Sequence, residues 1–381
     1  MRICQVCSAH PVDDGRVFHR TCVGLAKAGY EVHLFATSNK PNVYCDQGVY
    51  VHPLPPCNSP YKRIARRFQV SRMAADLNPD LFHVHEPELL GSVLKAAGSR
   101  PVVYDVHESY LDIIEERDWI PKLIKPLVRS AWDKWERRLV RRCAGVVVVT
   151  EHIAQRYSQL HPRVEVVANY PDVTAFEELP PVPRDGMTCV FAGFLTHHRG
   201  LFQVIKALAI LKKRGLTVPL ALAGRVSPDA YLLSLLNEAD RLGVKEQISY
   251  HGVLSQRDAF IFQQKASIAL VPYQPIANCI ASMANKVAEC MALGLPLVFS
   301  DFPNYRKVAG ASNAGIAVDP TKPEQIAEAI EYLIRNPDVA RQMSEAGRRA
   351  VRERFNWNHE RAKLLDLYSN ILGTQDQREV A

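Results

Sequence analysis

The stretch Ala281-Ser-Met-Ala-Asn-Lys-Val-Ala-Glu-Cys-Met-Ala-Leu-Gly-Leu-Pro-Leu-Val-Phe-Ser300 predicts a short helix, a glycine stop and a buried strand. Ser282 is a candidate N-cap, because its hydroxyl can accept a hydrogen bond from a free N–H group of the first turn. Gly294 suits the left-handed position that ends many helices, and Pro296 prevents the helix from continuing. The apolar run at 297–299 is typical of a strand in a parallel sheet. The stretch therefore indicates a helix-to-strand unit of an α/β fold.

The start of this predicted helix is a candidate anion site, because free N–H groups and the positive end of the helix dipole attract negative charge. Lys286 adds a cation, and Glu289 lies three residues further on, on a neighbouring face. The helix rises ~10 Å from Ser282 to Glu289, about the reach from the diphosphate to the ribose of a nucleotide. A carboxylate there can accept hydrogen bonds from two ribose hydroxyls. A solvated helix face is the alternative, and these residues alone leave both interpretations open.

The amino-acid composition limits the classes of protein to which the chain can belong. The chain has 381 residues, of which 47% are hydrophobic and 23% charged, and this is ordinary for a globular protein of two or three domains. The net charge of +7 suits an anionic small molecule or an anionic membrane surface, and it is weak support for nucleic acid. Nine scattered cysteines suit reduced thiols, and the pair Cys4 and Cys7 has no second pair at zinc spacing. With no signal peptide or ~20-residue apolar run, we expect a cytoplasmic protein without a metal site.

The first half of the chain alternates predicted strands and helices. Strands are expected at 2–7, 31–36, 49–54, 81–85, 102–106, 145–150 and 164–167, and helices at 17–28, 122–142 and 151–160. The polar loop at 10–16 follows the first strand, where open α/β sheets bind ligands. Asp13 and Asp14 are candidates to contact a sugar or a helix start, and Gly15 is the single glycine of the loop. A solvated turn is the alternative.

Two predicted strands end in histidines. His85 closes the strand at 81–85 and precedes Glu86, and His107-Glu108 follows the strand at 102–106. A lone histidine is more often a structural hydrogen-bonding group than a catalyst. Two of them at neighbouring strand ends favour a functional role for His107, although the structural interpretation stays open.

Two basic segments are candidates for contact with an anionic membrane leaflet. The segment 62–72 has Ile64, Phe68 and Val70 among its basic residues, and 122–142 carries eight lysines and arginines together with two tryptophans. Solvated helix faces with core tryptophans are the alternative.

The second half repeats the strand–helix pattern after a proline-rich stretch at 172–186, which we interpret as a linker. Strands are expected at 188–192, 220–224, 248–252, 268–272 and 315–318, and helices at 201–214, 230–242, 256–265, 323–334, 337–355 and 359–372. The loop from Gly193 ends in Arg199-Gly200 at a helix start, which again suits phosphate. Two such domains, 1–171 and 187–357, predict a cleft between two doubly wound sheets.

Several motifs carry a resemblance over nearly the whole chain. They are the Asp14-Gly15 loop before a helix with His19, Tyr104-Asp-Val-His-Glu108, Val166-Val-Ala-Asn169, the segments 191–200 and 285–296, and Phe355-Asn-Trp357. In this order the chain resembles the retaining nucleotide-sugar glycosyltransferases of family 4, which have the GT-B fold of two Rossmann-like domains. The resemblance implies that the first domain binds the acceptor, that the second binds the donor, and that the last helix, 358–372, packs back on the first.

The resemblance assigns roles to residues of the second domain. Glu289 matches the second glutamate of the family's glutamate–seven residues–glutamate motif, which holds the donor ribose, and Arg199 matches a diphosphate-binding cation. The first glutamate would fall at Ala281 and the first cation at Phe194, so both are missing. We expect Lys286 to compensate for the missing cation.

Other implied positions lie in both domains. His107 matches a histidine near the reacting sugar, and Gly15 matches the loop that closes over the donor phosphates, although Asp14 replaces the usual first glycine. The further implied donor-binding positions are Asn169, Gly193, Gly200, Gly252, Val253, Ser282 and Asn285. His107, Glu289 and Arg199 are the implied catalytic residues.

The resemblance also implies a reaction. A sugar moves from a nucleotide-diphosphate sugar to a hydroxyl of a saccharide or lipid-linked acceptor with retention, while a phosphate oxygen takes the acceptor proton and no metal or other cofactor is required. The departures from the family pattern look like a subgroup that builds surface polysaccharides, so a peripheral position at the cytoplasmic face of the membrane is expected. A nucleotide-sugar epimerase and a non-catalytic nucleotide-sugar-binding protein are the alternatives. Nucleic acid is not an expected partner, because no recognition motif accompanies the basic segments.

Overall fold

The computed structural model describes residues 1–57, 59–117, 120–184, 186–282 and 285–373, and it divides into two compact units. Unit 1 combines residues 1–169 with the chain from Asn358 onward, and unit 2 comprises Tyr170–Trp357. The last helix therefore belongs largely to the first unit.

Unit 1 contains an eight-stranded sheet in which one edge strand is antiparallel. The strands are β1 (Arg2–Pro11), β2 (Glu31–Thr37), β3 (Tyr44–Asp46), β4 (Val49–Leu54), β5 (Leu81–Val84), β6 (Val102–Val106), β7 (Gly145–Val148) and β8 (Val164–Val166). Their order is β3-β4-β2-β1-β5-β6-β7-β8, and β3 alone among them runs antiparallel to its neighbour. The strand order reverses between β1 and β5. In open α/β sheets, the carboxyl ends at such a point are where ligands bind.

The helices of unit 1 connect these strands. They are α1 (Val23–Lys27), α2 (Pro60–Asp76), α3 (Pro87–Ala97), α4 (Tyr110–Glu116), α5 (Lys125–Val140) and α6 (Glu151–Tyr157). A π-helical segment, Gly15–Cys22, leads directly into α1, and such wide turns occur often at functional sites. None of the helices in the described ranges combines the length and apolar character needed to cross a bilayer.

Unit 2 contains a six-stranded, fully parallel sheet. Its strands are β9 (Cys189–Ala192), β10 (Leu220–Ala223), β11 (Ile248–Tyr250), β12 (Ile268–Val271), β13 (Leu297–Ser300) and β14 (Gly315–Val318). The order β11-β10-β9-β12-β13-β14 is that of a dinucleotide-binding sheet, and it reverses between β9 and β12.

Helices pack around this second sheet, and one more returns to unit 1. They are α7 (Thr174–Glu177), α8 (Leu201–Lys213), α9 (Ala230–Arg241), α10 (Gln256–Gln264), α11 (Ala277–Ala281), α12 (Asn285–Ala292), α13 (Pro303–Tyr305), α14 (Pro323–Arg335), α15 (Pro337–Glu353) and α16 (Trp357–Leu372). The fold class of two Rossmann-like parallel sheets, predicted from the alternation of strands and helices, is confirmed.

Several local expectations differ from the structure. β1 continues to Pro11, past the predicted end at residue 7, because Pro11 and the next N–H group still pair with Thr37 of β2. Helices α3, α4 and α11 and strand β3 were not predicted from the sequence. α3 begins with Pro87, which suits the first turn of a helix because it lacks an N–H group. The predicted linker at 172–186 contains α7.

The last helix is held in unit 1 by both packing and polar contacts. An added Cβ on Gly145 of β7 would lie within 3.3 Å of Leu367 and Ile371, so a glycine allows α16 to approach the sheet closely. The Tyr368 hydroxyl contacts the Gln5 amide, at 3.2 Å, and Nδ1 of His83. The helix is therefore bonded to β1 and β5 in the middle of the sheet.

Removing this hydroxyl tests that connection. In Tyr368→Phe, the buried polar groups of Gln5 and His83 each lose a partner, so we expect the free energy of unfolding to fall by about 1–3 kcal/mol. Urea denaturation followed by circular dichroism measures the change. Tyr50→Phe, at a half-exposed position of β4, is the control and should stay within about 0.5 kcal/mol of wild type. Equal stability of Tyr368→Phe and wild type would contradict the role given to the hydroxyl.

Candidate active site

The switch point of unit 2 is formed by the loops that follow β9 and β12. Gly200 has φ +75°, and an added Cβ would lie 2.0 Å from the Pro272 carbonyl oxygen, so only glycine fits there. The Gln274 N–H group donates to the His198 carbonyl at 2.8 Å. These contacts hold the loop that carries Arg199 against the end of β12.

Two cations and a carboxylate meet at this switch point. The Arg199 guanidinium lies 4.1 Å from the centre of the Tyr273 ring, and its buried Nε has no hydrogen-bond partner within the described part of the chain. Lys286 Nζ donates to Glu289 Oε2 at 2.8 Å. An added Cβ on Gly193 would lie 3.4 Å from the Lys286 side chain, which places this loop directly beside the lysine.

The electrostatics of this group favour an anionic ligand. Burial raises the pKa of Tyr273, and the nearby charges of Arg199 and Lys286 oppose that rise. Burial alone would lower the pKa of Lys286, but the charge and hydrogen bond of Glu289 raise it above its ordinary value, so the lysine stays protonated. Two fixed cations beside a carboxylate suit a ligand that carries an anionic group near a pair of hydroxyls.

The remaining predicted positions of unit 2 lie on neighbouring loops. The Gly252 carbonyl accepts a hydrogen bond from the Gly224 N–H group at 2.7 Å, and Val253 is exposed. The Arg225 guanidinium lies 5.8 Å from the centre of the exposed Phe194 ring, so a cation stands near the position where the resemblance implies one. Sequence reasoning missed Arg225 and Tyr273, since neither belongs to a matched motif.

The helix that carries Lys286 is described from Asn285 onward. Helix α11 precedes Ser282 and ends at Ala281. Residues 283–284 lie outside the described part of the chain, so the cap at Ser282 and the donor contacts of Asn285 stay predictions.

A buried ion pair organises the switch point of unit 1. Arg16 Nη2 lies 3.0 Å from Asp105 Oδ1, and both side chains are almost fully buried. Arg16 Nη1 also donates to the Val167 carbonyl, at 2.9 Å, and to Asn169 Oδ1, at 3.0 Å. Burial would raise the pKa of Asp105, but the charges of Arg16 and His107 hold it well below its usual range.

Three histidines surround the same carboxylate. Asp105 Oδ2 lies 3.5 Å from His83 Nε2, 3.6 Å from His85 Nδ1 and 3.6 Å from His107 Nε2. His85 Nδ1 and His107 Nε2 are 3.1 Å apart, and the other nitrogen of His85 lies 2.8 Å from Gln5 Oε1. Burial lowers the pKa of His83 and His85, so both are neutral near pH 7. The predicted catalytic residue His107 is thus the outer end of a buried polar network.

A second histidine pair lies beside this network. His10 Nδ1 is 2.8 Å from Glu86 Oε1, and the rings of His10 and His107 are centred 4.8 Å apart. Burial raises the pKa of Glu86, but its hydrogen bonds to His10 and to backbone N–H groups lower it below the ordinary value. Sequence reasoning did not connect His10 with Glu86, because only the pairing of β1 with β5 brings them together. The sequence signal that could have connected them is that β1 and β5 are each followed or ended by polar residues.

The loop before α1 uses its own carboxylate as a helix cap. Asp14 Oδ1 accepts hydrogen bonds from the N–H groups of Arg16 and Val17, both at 2.8 Å. These two groups are occupied, so an anion at this helix start would have to replace Asp14. Asn169 Oδ1 is likewise engaged by Arg16, while the donor contacts of Gly15 stay a prediction.

Two sets of side chains bring possible metal-ligand atoms within 4.8 Å of one another, which the sequence spacing did not reveal. They are Cys7 with His10 and Glu86, and His83 with His85 and Asp105. Burial raises the pKa of Cys7 well above its ordinary value, so its thiol keeps its proton. The Asp105 carboxylate is bound by Arg16. A metal ion at either set would therefore have to displace the proton of Cys7 or the Arg16 guanidinium from Asp105.

A cavity of about 570 Å³ lies beside the carboxyl ends of β1 and β2. Its lining combines aromatic rings with hydroxyl, amide and charged groups, from Asp13, Phe18, His19, Ser38, Asn39 and Tyr44 among others. At the edge of this cavity, Lys40 Nζ lies 4.0 Å from the centre of the Tyr44 ring. Such a lining is typical of a site that binds polyhydroxylated molecules.

The buried ion pair makes a pH-dependent prediction. In Arg16→Met, Asp105 is left buried without its cation, and we expect about 3–5 kcal/mol less stability at pH 7. The pKa of Asp105 is lower in the folded than in the unfolded chain, so its ionised form stabilises the fold at pH values above the ordinary carboxyl pKa. This stabilisation is lost as the pH falls toward the lowered pKa. The difference between wild type and variant should therefore shrink below about pH 4.

Denaturation at pH 7 and at about pH 3 measures this difference. Arg129→Met, which removes an exposed ion pair with Glu115, is the control and should cost less than about 1 kcal/mol. A difference between wild type and Arg16→Met that does not depend on pH would contradict the assignment.

Comparisons with known proteins identify the family and the fold of the chain. Residues 176–350 match the family described as Glycosyl transferases group 1, and residues 15–174 match Glycosyltransferase Family 4. The chain is 24% identical to the phosphatidyl-myo-inositol mannosyltransferase of Mycolicibacterium smegmatis, over 92% of this chain and 88% of that protein.

Two solved structures resemble the fold along its full length. Sucrose-phosphate synthase from Thermosynechococcus elongatus gives a TM-score of 0.78 at 15% identity, covering 98% of this chain and 100% of that one. Anabaena Alr3699/HepE in complex with UDP gives 0.70 at 14% identity, covering 97% and 100%. These likenesses confirm the GT-B fold class that the resemblance implied. The two family matches together span most of the chain, which belongs to the family 4, group 1 glycosyltransferases and is a sugar transferase.

Proposed function

We propose that this transferase moves a hexose from a nucleoside diphosphate sugar to a hydroxyl of a saccharide or lipid-linked acceptor, with retention of anomeric configuration. The observation that carries the proposal is the pair of cations at the switch point of unit 2. Arg199 presents a buried Nε there that has no hydrogen-bond partner among the described residues, and Lys286 stays protonated beside Glu289. Unit 2 then holds the donor and unit 1 the acceptor.

The cations have a direct role in this scheme. Negative charge develops on the diphosphate as the glycosidic bond breaks, and preorganised donors at that place stabilise the transition state. Arg199 and Lys286 supply this charge, and Arg225 beside Phe194 is a third candidate. No metal ion is needed in such a scheme, because the side chains already neutralise the diphosphate.

The carboxylate at this site suits the ribose of the donor. Glu289 Oε2 is bonded to Lys286, and its side chain is largely buried, so its position is fixed before the donor binds. Its remaining acceptor capacity is available for two ribose hydroxyls. The similar Anabaena structure is described with UDP, and the relative from Mycolicibacterium is named a mannosyltransferase. Both descriptions support a hexosyl nucleoside diphosphate as the donor.

The acceptor site in this proposal is the cavity of unit 1 beside β1 and β2. Its aromatic rings can stack on sugar faces, and its hydroxyl and amide groups can bind sugar hydroxyls. In this proposal the acceptor hydroxyl lies at the carboxyl ends of the strands of unit 1, where His10 and His107 also lie.

Contact with the cytoplasmic face of a membrane forms a further part of the proposal and suits a lipid-linked acceptor. Leu123, just before α5, and Leu127, in its first turn, are 95% and 72% exposed, and Tyr61 of α2 is also strongly exposed. Apolar side chains next to lysines and arginines are the pattern of an interfacial helix. A role in cell-surface polysaccharide or glycolipid synthesis follows from such a location.

The donor site makes a direct prediction. The nucleotide is chosen by thermal-shift screening with UDP, GDP, ADP, dTDP and CMP. Glu289→Ala and Arg199→Ala should each reduce turnover of the matching nucleotide sugar by about 100-fold or more, because each removes a preorganised polar contact. Arg335→Ala, which removes an exposed pair with Glu331 in the same unit, should leave turnover unchanged. Near-normal turnover in both site variants would contradict the assignment.

Membrane contact is tested by vesicle co-sedimentation. Neutralising the arginines at 63, 66 and 67 of α2 should weaken binding to phosphatidylglycerol vesicles by about fivefold per cation, since each contributes about 1 kcal/mol. The side chain of residue 63 lies outside the described part of the chain. Neutralising Lys212, Lys213 and Lys245 of unit 2 is the matched control. Vesicle binding that changes neither with salt concentration nor with the substitutions in α2 would rule out an electrostatic contact.

A further inference from the structure

A second cavity, of about 210 Å³, lies in unit 2, and its described lining comes from α7, α10, α12 and α15 and the residues next to them. The helices α10 and α12 lead into β12 and β13, so their last residues, Gln264 and Ala292, lie at the amino ends of these strands. Arg199 and Lys286 lie at the carboxyl ends. The cavity is therefore at the opposite edge of the sheet from the proposed donor site.

The lining of this cavity carries more positive than negative charge. Arg348 and Arg352 are four residues apart on α15, so their side chains share one face of the helix, and both line the cavity. Neither guanidinium forms an ion pair with a carboxylate in the described part of the chain. Glu177, which is exposed, supplies the carboxylate of the described lining. Two guanidinium groups against one carboxylate favour an anion in the cavity.

A third arginine adds positive charge behind the lining. Arg184 donates to the Gly294 carbonyl at 2.7 Å and to the Leu293 carbonyl at 2.8 Å. Arg348 Nη2 donates to the same Leu293 carbonyl at 3.1 Å, so two guanidinium groups converge on one oxygen. Burial and the charge of Arg348 lower the pKa of Arg184 below its ordinary value. An anion bound beside Arg348 would reduce this repulsion between like charges.

The size and polarity of the cavity limit its ligand. A cavity of ~150 Å³ holds one benzene molecule, so this cavity has room for a molecule of about six to ten heavy atoms, far fewer than a nucleoside diphosphate has. Phe176 and Val351 give the lining an apolar part. Gln264 adds an amide whose Oε1 has no hydrogen-bond partner among the described residues. A phosphate group suits the guanidinium pair, and a hydroxyl suits the amide.

We propose that this cavity is a second ligand site of the protein, and that its ligand is a small phosphate monoester with a hydroxyl group, of about the size of glycerol 3-phosphate. Arg348 and Arg352 hold the phosphate, and Gln264 binds the hydroxyl. The ligand takes no part in sugar transfer, because it lies at the opposite edge of the sheet from the donor. The site goes beyond the proposed function and does not depend on it.

One helix connects this cavity to the proposed donor site. Lys286 and Glu289 belong to α12, which ends at Ala292 in the lining of the cavity. The carbonyl of the next residue, Leu293, is bonded to Arg348. A ligand held by Arg348 therefore fixes the end of the helix that positions the Lys286–Glu289 pair. We expect it to tighten the binding of a nucleoside diphosphate, and this linkage alone rests on the proposed function.

Calorimetric titration of glycerol 3-phosphate into the full chain tests the site. Wild type should bind it with a Kd of about 1 mM or lower. Arg348→Gln and Arg352→Gln should each weaken binding at least about tenfold, because each removes a charge-assisted contact with the phosphate. Arg352 is exposed, so its variant keeps the test valid if Arg348→Gln does not fold. Glu177→Gln should strengthen binding about twofold or more, because it removes a negative charge from the lining.

Two further variants show where the ligand binds. Arg349→Gln, at an exposed position on another face of α15, is the matched control and should bind as wild type does. Arg199→Ala should also keep the wild-type affinity, because the cations of the donor site also attract phosphate but lie elsewhere. Loss of binding in Arg199→Ala, unchanged binding in Arg352→Gln, or no binding by wild type at millimolar ligand would each overturn the second site. Malonate, a dicarboxylate of similar charge, should bind more weakly, and equal binding would overturn the choice of a phosphate ester.

The linkage is tested with the nucleoside diphosphate that the thermal-shift screen selects. Saturating glycerol 3-phosphate should tighten its binding to wild type by about fivefold or more and should leave its binding to Arg352→Gln unchanged. An unchanged or weakened nucleotide affinity in wild type would overturn the linkage through α12. A wild type that binds glycerol 3-phosphate but no nucleotide would contradict the proposed function and support the second site.

Discussion

Parallel strands gather their carboxyl ends at one edge of a sheet, and both units place their candidate site side chains where the strand order reverses at that edge. In unit 2 the loops after β9 and β12 bring Arg199 beside Tyr273. In unit 1 the ends of β1, β5 and β6 bring His10, Glu86 and His107 together. Which side chains meet in each unit therefore depends more on strand order than on proximity in the sequence.

The buried pair of Arg16 and Asp105 connects this edge to the rest of unit 1. Arg16 follows the capped loop before α1, and its other hydrogen bonds reach Val167 and Asn169 beyond β8. A buried ion pair contributes little net stability, but breaking it leaves an uncompensated charge. The pair therefore acts mainly by fixing which segments meet, and it also keeps Asp105 ionised beside three histidines.

The parts of the site that lie on one helix or in one loop could be predicted from sequence. Lys286 and Glu289 are three residues apart, and helical periodicity alone places them together, as the structure does at 2.8 Å. The alternation of strand and helix patterns was also sufficient for the fold class, because buried parallel strands are short apolar runs.

Contacts between distant segments could not be predicted in this way. His10 and Glu86 are 76 residues apart, and only the register of β1 against β5 brings them into contact. Arg225 stands near Phe194 because β9 and β10 are neighbours, a fact of sheet order. Asp14 was expected to contact a sugar or a neighbouring helix start, and its carboxylate caps the helix that follows it within the same loop. Local polar groups bond to nearby backbone before they bond to a ligand.

The most direct test of the account is calorimetric titration of UDP against UMP, and of GDP against GMP, into wild type and Arg199→Ala. A diphosphate held by preorganised cations should bind at least ~10-fold more tightly than the monophosphate, since a charge-assisted hydrogen bond contributes about 1.5–3 kcal/mol. The account predicts this preference in wild type and its loss in Arg199→Ala. Equal affinities for diphosphate and monophosphate in wild type, or a preference that Arg199→Ala keeps, would contradict it.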